Sequence, residues 1–234
     1  MFSASAELYD LIYATFKDYR QEAAQIAERL RQLNPACRSV LDVACGTGEH
    51  ARWLAADGFA VDGVDLDPAF VRIASVKHPA GRFVEADMSD FHLARRYDAV
   101  LCLFSSIGYL LTLDRVERAA RCFREHLATG GVILIEPWFA PGVLDTARVT
   151  TNAAEANGVR VTRTSRVDIE GRISRLRFDY EIVDEAGPRS AREVHELGLF
   201  TTRELRATLE TAGLDVEYDP AGLTGRGLYV ARPA

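Results

Sequence analysis

Over the first 140 residues, valine, isoleucine and leucine gather in five short runs, SVLDVAC, FAVDGVDL, RFVEAD, YDAVLCLF and GGVILIEP, with segments of helical periodicity between most of them. Parallel strands need crossover connections and are then buried on both faces, so this rhythm predicts a parallel sheet covered by helices on each side. Ahead of it, residues 5–33 predict two helices, AELYDLIYATF and DYRQEAAQIAERLRQL. In the second, Tyr19, Ala23, Ile26, Ala27, Leu30 and Leu33 share one face, and Asn34-Pro35 ends it.

After Pro141 the period changes. Residues 146–199 hold four segments of strand character, TARVTTNAA, GVRVTRTSRVDI, RISRLRFDYEIVD and SAREVHELGLF, with turn signals at Asn157-Gly158, Glu170-Gly171 and Gly187-Pro188. That is the pattern of an antiparallel insertion. Thr201 with Glu204 makes a capping box that opens the helix RELRATLETAG, which Gly213 closes before two last strands, LDVEYD and GLYVARP.

The 234 residues, 48% of them hydrophobic, suffice for one large core. The amino terminus, MFSASAELYD, has no apolar stretch, and no later segment approaches the roughly 18 apolar residues that span a bilayer, so a cytoplasmic protein without a membrane partner is expected. Net charge −6 argues against sequence-independent binding to nucleic acid. Cys37, Cys45, Cys102 and Cys122 lack metal-ligand spacing and read as reduced, buried thiols, and the five scattered histidines give no case for a metal. Only Lys17 and Lys77 are lysines, so each arginine has to be weighed by its position.

Chemistry begins at Asp42-Val43-Ala44-Cys45-Gly46-Thr47-Gly48, where glycines at a strand-to-helix turn let backbone approach a ligand. Gly46, Gly48 and Ala51 also satisfy the dinucleotide pattern, with Asp65 about 20 residues on, so these residues alone leave a nicotinamide oxidoreductase and a non-catalytic nucleoside binder open. Taken in order, DVACGTG, VDGVDLD, EADMSDF, YDAVLCLF and EHLATGGVILIEP resemble the signature segments of class I S-adenosylmethionine-dependent methyltransferases. The resemblance implies an α/β fold, a Rossmann-like, mostly parallel seven-stranded sheet with an antiparallel β insertion after the fifth strand. Residues 1–140 and 200–234 would form the cofactor-binding domain and 141–199 a cap over the substrate. It further implies S-adenosylmethionine as cofactor, Asp65 on the ribose hydroxyls and Asp87-Met88 at the adenine, the alternative for Asp87 being a helix N-cap. Tyr9, Tyr19, Ala44, Gly46, Gly48, Leu66 and Phe104 complete the expected cofactor site.

A narrower resemblance rests on LDVACGTGEH, FSSIGYL, EPW, LFTTRELRATLETAGL and GRGLYV, with AELYDLIY and KDY near the start. Together they resemble the N,N-dimethyltransferases of nucleotide-linked amino sugars, of the desosamine and mycaminose type. Three positions depart: Asp65 stands where those enzymes tend to carry Glu, Trp138-Phe139 replaces a paired tryptophan, and AGLT precedes GRGL in place of a Gly-Pro-Ser type segment. The implied acceptor is a dTDP-linked amino sugar, with another small metabolite methylated on N or O as the alternative. Tyr109, Glu136 and His195 are the candidate catalytic residues, Glu136 having a structural hydrogen bond as its other reading. Tyr109, Trp138, Arg163, Arg175 and Arg226 are the candidate substrate contacts, the arginines as holders of a diphosphate. A homodimer is the assembly considered.

Overall fold

A computed structural model describes residues 6–234; Ser5, the expected start of the first helix, lies outside the described residues. The helices are α1 (Ala6–Tyr13), α2 (Tyr19–Leu33), α3 (Glu49–Ala56), α4 (Pro68–Lys77), α5 (Leu113–Glu125) and α6 (Thr202–Thr211). The strands are β1 (Ser39–Val43), β2 (Ala60–Asp65), β3 (Phe83–Glu85), β4 (Tyr97–Cys102), β5 (Leu127–Ile135), β6 (Thr150–Ala156), β7 (Val159–Glu170), β8 (Ile173–Asp184), β9 (Gly187–Gly198), β10 (Leu214–Asp219) and β11 (Leu228–Pro233).

One seven-stranded sheet runs β10-β11-β5-β4-β1-β2-β3, and only β11 is antiparallel to its neighbours. Both faces are buried, as continuous apolar strands require. Leu41, Val43, Val100 and Ile133 pack on one side with Val116 and Phe123 of α5 and Leu205 of α6. Val40, Leu101 and Leu134 pack on the other with Ile26 and Leu30 of α2 and Leu54 of α3. Side-chain caps start the helices: Asp18 at α2, Asp67 with Pro68 at α4, Thr112 at α5, and a reciprocal Thr201–Glu204 box at α6. The four cysteines are buried and free, and no described helix is long and apolar enough to cross a membrane.

The second sheet, β6-β7-β8-β9, is an antiparallel meander. Its first hairpin turns on Asn157 and Gly158, both at positive φ, which is what a two-residue loop needs to match strand twist. Two local expectations shift. The last hairpin turns at Glu185-Ala186, and Gly187-Pro188 already belongs to β9, where an edge strand tolerates the missing proline N–H. Strand β6 begins at Thr150, because residues 145–148 form a turn in which Asp145 accepts from the Ala147 N–H.

The meander alternates strictly. Its outer face is a ladder of ion pairs such as Arg166–Asp179 at 3.0 Å and Arg177–Asp168 at 2.5 Å. Its inner face packs Val161, Phe178, Tyr180 and Ile182 on Leu8 and Ile12 of α1. At the other end, a 3₁₀ turn Ser106–Leu110 meets β9 at Gly108, where a Cβ would come within 3.0–3.2 Å of Leu197 and Trp138. The meander is thus pinned over the carboxyl edge of the main sheet.

Gly48 holds two helices together. It precedes α3 at φ +77°, and a Cβ there would lie 2.9 Å from the Ala74 Cβ on α4. Gly48→Ala combines left-handed strain with overpacking, so we expect a loss of about 2–4 kcal/mol in unfolding free energy, measured by denaturant titration. A change below about 0.5 kcal/mol would contradict this contact.

Candidate active site

The strands of the main sheet end where strand order reverses, between β1 and β4, and ligands of open α/β sheets bind at such carboxyl-edge crevices. A cavity of about 720 Å³ opens there, roofed by the meander and α1.

At one end, the turn after β1 places Ala44 at φ +57° and Gly46 at φ +55°, and a Cβ on Gly46 would meet nothing within 4 Å, leaving its backbone open to the cavity. Asp65, ending β2, locks this turn: Oδ2 accepts from the Gly46 N–H at 2.8 Å and Oδ1 from the Asp67 N–H at 2.9 Å. Burial raises the Asp65 carboxyl above its usual range, and those backbone hydrogen bonds partly offset the shift. Leu66, Asp87 and Met88 line the same wall. No helix follows Asp87. Its Oδ1 accepts from the Ser89 N–H at 2.8 Å and Oγ at 2.7 Å, and Oδ2 from Arg115 at 2.6 Å. Burial alone would raise this carboxyl, but the Ser89 hydrogen bonds and the Arg115 charge hold it below its ordinary value.

A smaller pocket of about 40 Å³ shares Tyr9, Ala44, Gly46, Phe104 and Ser106 with the large one and adds Tyr19, Asp42, Thr47 and His50. Tyr19 and Tyr9 are joined by a side-chain hydrogen bond. Asp10 of α1 accepts from Thr47 and Lys77, so the first helix is latched to the glycine turn. Asp42 is 2% exposed and its Oδ2 has no hydrogen-bond partner. Burial pushes this carboxyl up to about 6, against the field of His50. An orphaned acceptor beside an open glycine turn fits the α-amino group of an amino-acid-bearing nucleoside.

Toward the meander, Phe104 and Ser105 take φ +51° and +65°. Glu136, 1% exposed, holds them: Oε2 accepts from the Phe104 N–H at 2.7 Å and Oε1 from the Thr224 hydroxyl. Glu136 therefore does not line the cavity; its carboxylate is engaged by the chain itself. Tyr109 does, 38% exposed, with its hydroxyl 3.2 Å from His195 Nδ1. His195 Nε2 faces Glu193 at 3.5 Å, and Tyr180 donates to Glu193 at 3.0 Å. Burial keeps the Tyr109 phenol well above its ordinary value, so it stays protonated. Trp138 is fixed by its Nε1–H donating to Ser174 Oγ at 2.8 Å. Arg226 donates to Ser105 Oγ at 3.0 Å and lies 5.2 Å over the Phe104 ring.

Of the residues singled out from sequence, thirteen share the large cavity: Tyr9, Ala44, Gly46, Asp65, Leu66, Asp87, Met88, Phe104, Tyr109, Trp138, Arg163, His195 and Arg226. Tyr19 lines the small pocket, Gly48 packs on α4, and Glu136 is a buried clamp. Arg175 points to the outer face of the meander, where it pairs with Glu170 and with Glu196 at 2.6 Å. Sequence reasoning missed Asp42, Arg115, Tyr13, Asn152 and Ser165. An acid inside the apolar run SVLDV was a signal for Asp42, and small polar residues in the inward phase of β6 and β7 were signals for Asn152 and Ser165.

An open glycine turn, an acid at the end of β2 and another after β3 define the architecture of an S-adenosylmethionine-dependent methyltransferase. Residues 40–131 match the family described as methyltransferase domain. The dTDP-3-amino-3,6-dideoxy-alpha-D-glucopyranose N,N-dimethyltransferase of Streptomyces fradiae is 39% identical over 97% of this chain and 90% of its own. The dTDP-3-amino-3,4,6-trideoxy-alpha-D-glucopyranose N,N-dimethyltransferase of Streptomyces venezuelae is 37% identical, with 98% of each chain covered. Among solved structures, DesVI of Streptomyces venezuelae superposes with a TM-score of 0.92 at 37% identity, covering 98% of both chains. CalS10 of Micromonospora echinaspora, an amino pentose methyltransferase solved with S-adenosylmethionine bound, gives 0.87 at 35% identity over 97% of both. The chain belongs to the S-adenosylmethionine-dependent methyltransferases and, among them, to the N-methyltransferases that these relatives represent. Its cofactor is S-adenosylmethionine, and its acceptor is a small molecule.

Asp42 supplies a test of the cofactor site. Its folded value of about 6 lies above the unfolded value, so the native state holds the proton more tightly. Stability without ligand therefore falls as pH rises from about 4 to about 6, by up to about 3 kcal/mol. A cation at Oδ2 reverses the effect. Asp42→Asn should raise the ligand-free Tm at pH 8 while weakening S-adenosylmethionine about 10- to 100-fold by calorimetry. A lowered Tm with unchanged affinity would remove Asp42 from the site.

Proposed function

We propose that this enzyme methylates the amine of a dTDP-linked amino sugar. The observation that supports the reading is the single cavity that leads from Asp65 and Met88, past Phe104, to Trp138, Tyr109 and Arg226 beneath the meander. It has room for a nucleoside cofactor and an extended second ligand, and two relatives that match nearly end to end are named for dTDP-amino-sugar substrates. In this reading residues 1–140 and 200–234 are the cofactor domain and 141–199 the substrate cap. Asp65 accepts from the ribose hydroxyls, Asp87 from the adenine amine, and Asp42 from the α-ammonium. Four free cysteines accord with work in the reducing cytoplasm, and net charge −6 with a substrate other than nucleic acid.

When bound, the cofactor supplies an electrophilic methyl group on a sulfonium. What remains is to present an uncharged amine in line, without competing water, and such orientation is worth about 7–11 kcal/mol in favourable systems. The rings of Tyr9, Tyr13 and Phe104 shield the reacting end; Tyr9 and Tyr13 stack at 4.1 Å and Tyr13 meets Phe104 edge-on at 5.4 Å. The Tyr109 hydroxyl lies 3.2 Å from His195 Nδ1; in the tautomer with Nδ1 unprotonated the hydroxyl donates to it and the phenol oxygen offers its lone pairs to the cavity. An amine N–H directed at that oxygen leaves the nitrogen lone pair for the methyl group. Arg226 lines the same cavity, and in this reading its guanidinium meets the diphosphate.

Two outcomes follow. If orientation dominates, Tyr109→Phe lowers kcat less than about 10-fold, whereas loss of a true general base typically costs about 10²- to 10⁴-fold. A loss in that upper range, with a displaced acid limb of the pH–rate profile, would make Tyr109 a base. A second measurement compares a dTDP-3-amino sugar, the free amino sugar and glycine as acceptors, following S-adenosylhomocysteine release and product mass. Removing the nucleotide should cost turnover as well as affinity, and Arg226→Ala should imitate that loss while Arg226→Lys restores part of it. Equal activity on glycine, or none on any sugar nucleotide while cofactor still binds, would discard the amino-sugar reading.

A further inference from the structure

Arg115 stands where a helix disfavours a cation. It lies in the first turn of α5, and its N–H is the one that the Thr112 cap accepts from, at 3.4 Å. The positive end of a helix macrodipole repels a guanidinium there, whereas the neighbouring Asp114 suits it. The Arg115 side chain reaches the cavity wall, which it lines together with Leu66, Ala86, Asp87 and Met88. There its Nη2 donates to Asp87 Oδ2 at 2.6 Å and to Ser89 Oγ at 3.3 Å. Both partners of this ion pair are 37% exposed, and a pair so exposed contributes little to stability. A contact that opposes the dipole and adds little to folding points to a use in the site.

The lone pairs of Asp87 show what that use is. An ionised carboxylate accepts at about four sites, two on each oxygen. Oδ1 is filled by the Ser89 N–H at 2.8 Å and by the Ser89 hydroxyl at 2.7 Å. Arg115 takes one site on Oδ2 and, by donating to the Ser89 oxygen as well, keeps that hydroxyl's proton directed at Oδ1. One acceptor site is left, on Oδ2. Although burial raises this carboxyl, the Ser89 hydrogen bonds and the Arg115 charge bring it below its ordinary value, so it has no proton to give. Such a group binds one N–H and refuses a carbonyl oxygen.

We propose that Arg115 is a positioning residue that selects the base of the cofactor: it leaves Asp87 a single open acceptor, which takes an amine at the six-position of a purine and rejects a carbonyl there. The inference rests on the reading that Asp87 accepts from the adenine amine, and adds what makes that contact selective. Without the guanidinium Asp87 is free to rotate and to take up a proton, and a protonated carboxyl donates to a carbonyl. Asp90 and the Cys122 thiol, itself raised by burial, share the field of Asp87, and neither replaces the positive charge.

The test is calorimetry of S-adenosylhomocysteine and of S-inosylhomocysteine, which carries the carbonyl, from about pH 4 to about pH 8. Wild type should prefer the adenosyl ligand about 10- to 100-fold, as expected for one charged hydrogen bond. Arg115→Met should narrow that ratio by about 5-fold or more. Arg115→Lys should recover part of it, since an ammonium keeps the charge without the planar fork. Binding that needs the ionised carboxylate is lost as pH falls through its pKa, and Arg115→Met raises that pKa, so the acid loss of S-adenosylhomocysteine affinity should begin at higher pH than in wild type. Arg121→Met, which breaks a surface pair with Glu117 on the same helix, should change neither. An unchanged ratio in Arg115→Met, whether or not both affinities fall together, overturns the inference. So does a larger loss for S-inosylhomocysteine than for S-adenosylhomocysteine, which would put the guanidinium on the base itself. Asp87→Asn separates the inference from the reading beneath it. If that variant abolishes the ratio while Arg115→Met keeps it, Asp87 stays at the adenine and only Arg115 loses its role. If Asp87→Asn keeps the ratio, the adenine contact falls and the inference with it.

Discussion

The buried carboxylate of Glu136 is the constraint on which the site is built. It follows β5 directly, inside the protein, and accepts from the Phe104 N–H and the Thr224 hydroxyl, joining the loop after β4 to the loop before β11. Phe104 and Ser105 occupy the left-handed region, which costs non-glycine residues of order 1–3 kcal/mol each and persists only where surroundings impose it. A hydrogen bond to a charged group contributes about 1.5–3 kcal/mol, enough to hold such a bend. The bend turns the Phe104 ring toward the cofactor end and sends the chain into the 3₁₀ turn that carries Tyr109. Ser105 then donates to the Pro137 carbonyl and accepts from Arg226. One acid thereby sets the Phe104 ring, the Tyr109 phenol and the Arg226 guanidinium along one cavity without lining it itself.

Around that clamp the cavity is polarised. Asp42, Asp65 and Asp87 gather toward the glycine turn, with Arg115 paired to Asp87, and Arg163 and Arg226 lie toward the meander. S-adenosylmethionine carries a net positive charge and a sugar nucleotide a negative one, so in the proposed reading each ligand would meet the opposite field at its own end. In a space screened from water by the meander and α1 such fields act more strongly than at a surface. The protein as a whole is acidic, so an anionic acceptor would depend on these few local cations.

The fold was legible because its signals are redundant. Five apolar runs, the glycine turn and the Thr201–Glu204 box each fix an element independently, and the meander announced itself through strict alternation and Asn157-Gly158. That Asp65, Asp87 and Gly46 line one cavity was legible for a related reason: they stand at strand ends, and strand ends of a parallel sheet converge on one edge. The acceptor side was harder. Arg163 and Arg175 both lie on cap strands, yet only the phase of the alternation separates the arginine facing the cavity from the one paired with Glu196 outside. Glu136 was ambiguous because a strand-end carboxylate points into the site or back into the next loop according to a bend that no local pattern encodes. Asp42 had the strongest unread signal, a charge in an apolar strand, which a core does not keep without use.

Polarity also bears on how the proton leaves the amine. A phenolate at Tyr109 would lie among Asp65, Glu193 and two other tyrosines, and both burial and those neighbours oppose it. The phenol therefore stays neutral and, in the proposed reaction, acts by direction through its contact with His195 Nδ1 at 3.2 Å. In the proposed reaction a neutral acceptor favours an amine that arrives deprotonated. It also leaves the sulfonium as the strongest nearby electrophile for the one free lone pair. In the proposed reaction, charge at the two ends of the cavity would hold the ligands and a neutral phenol between them would direct the amine.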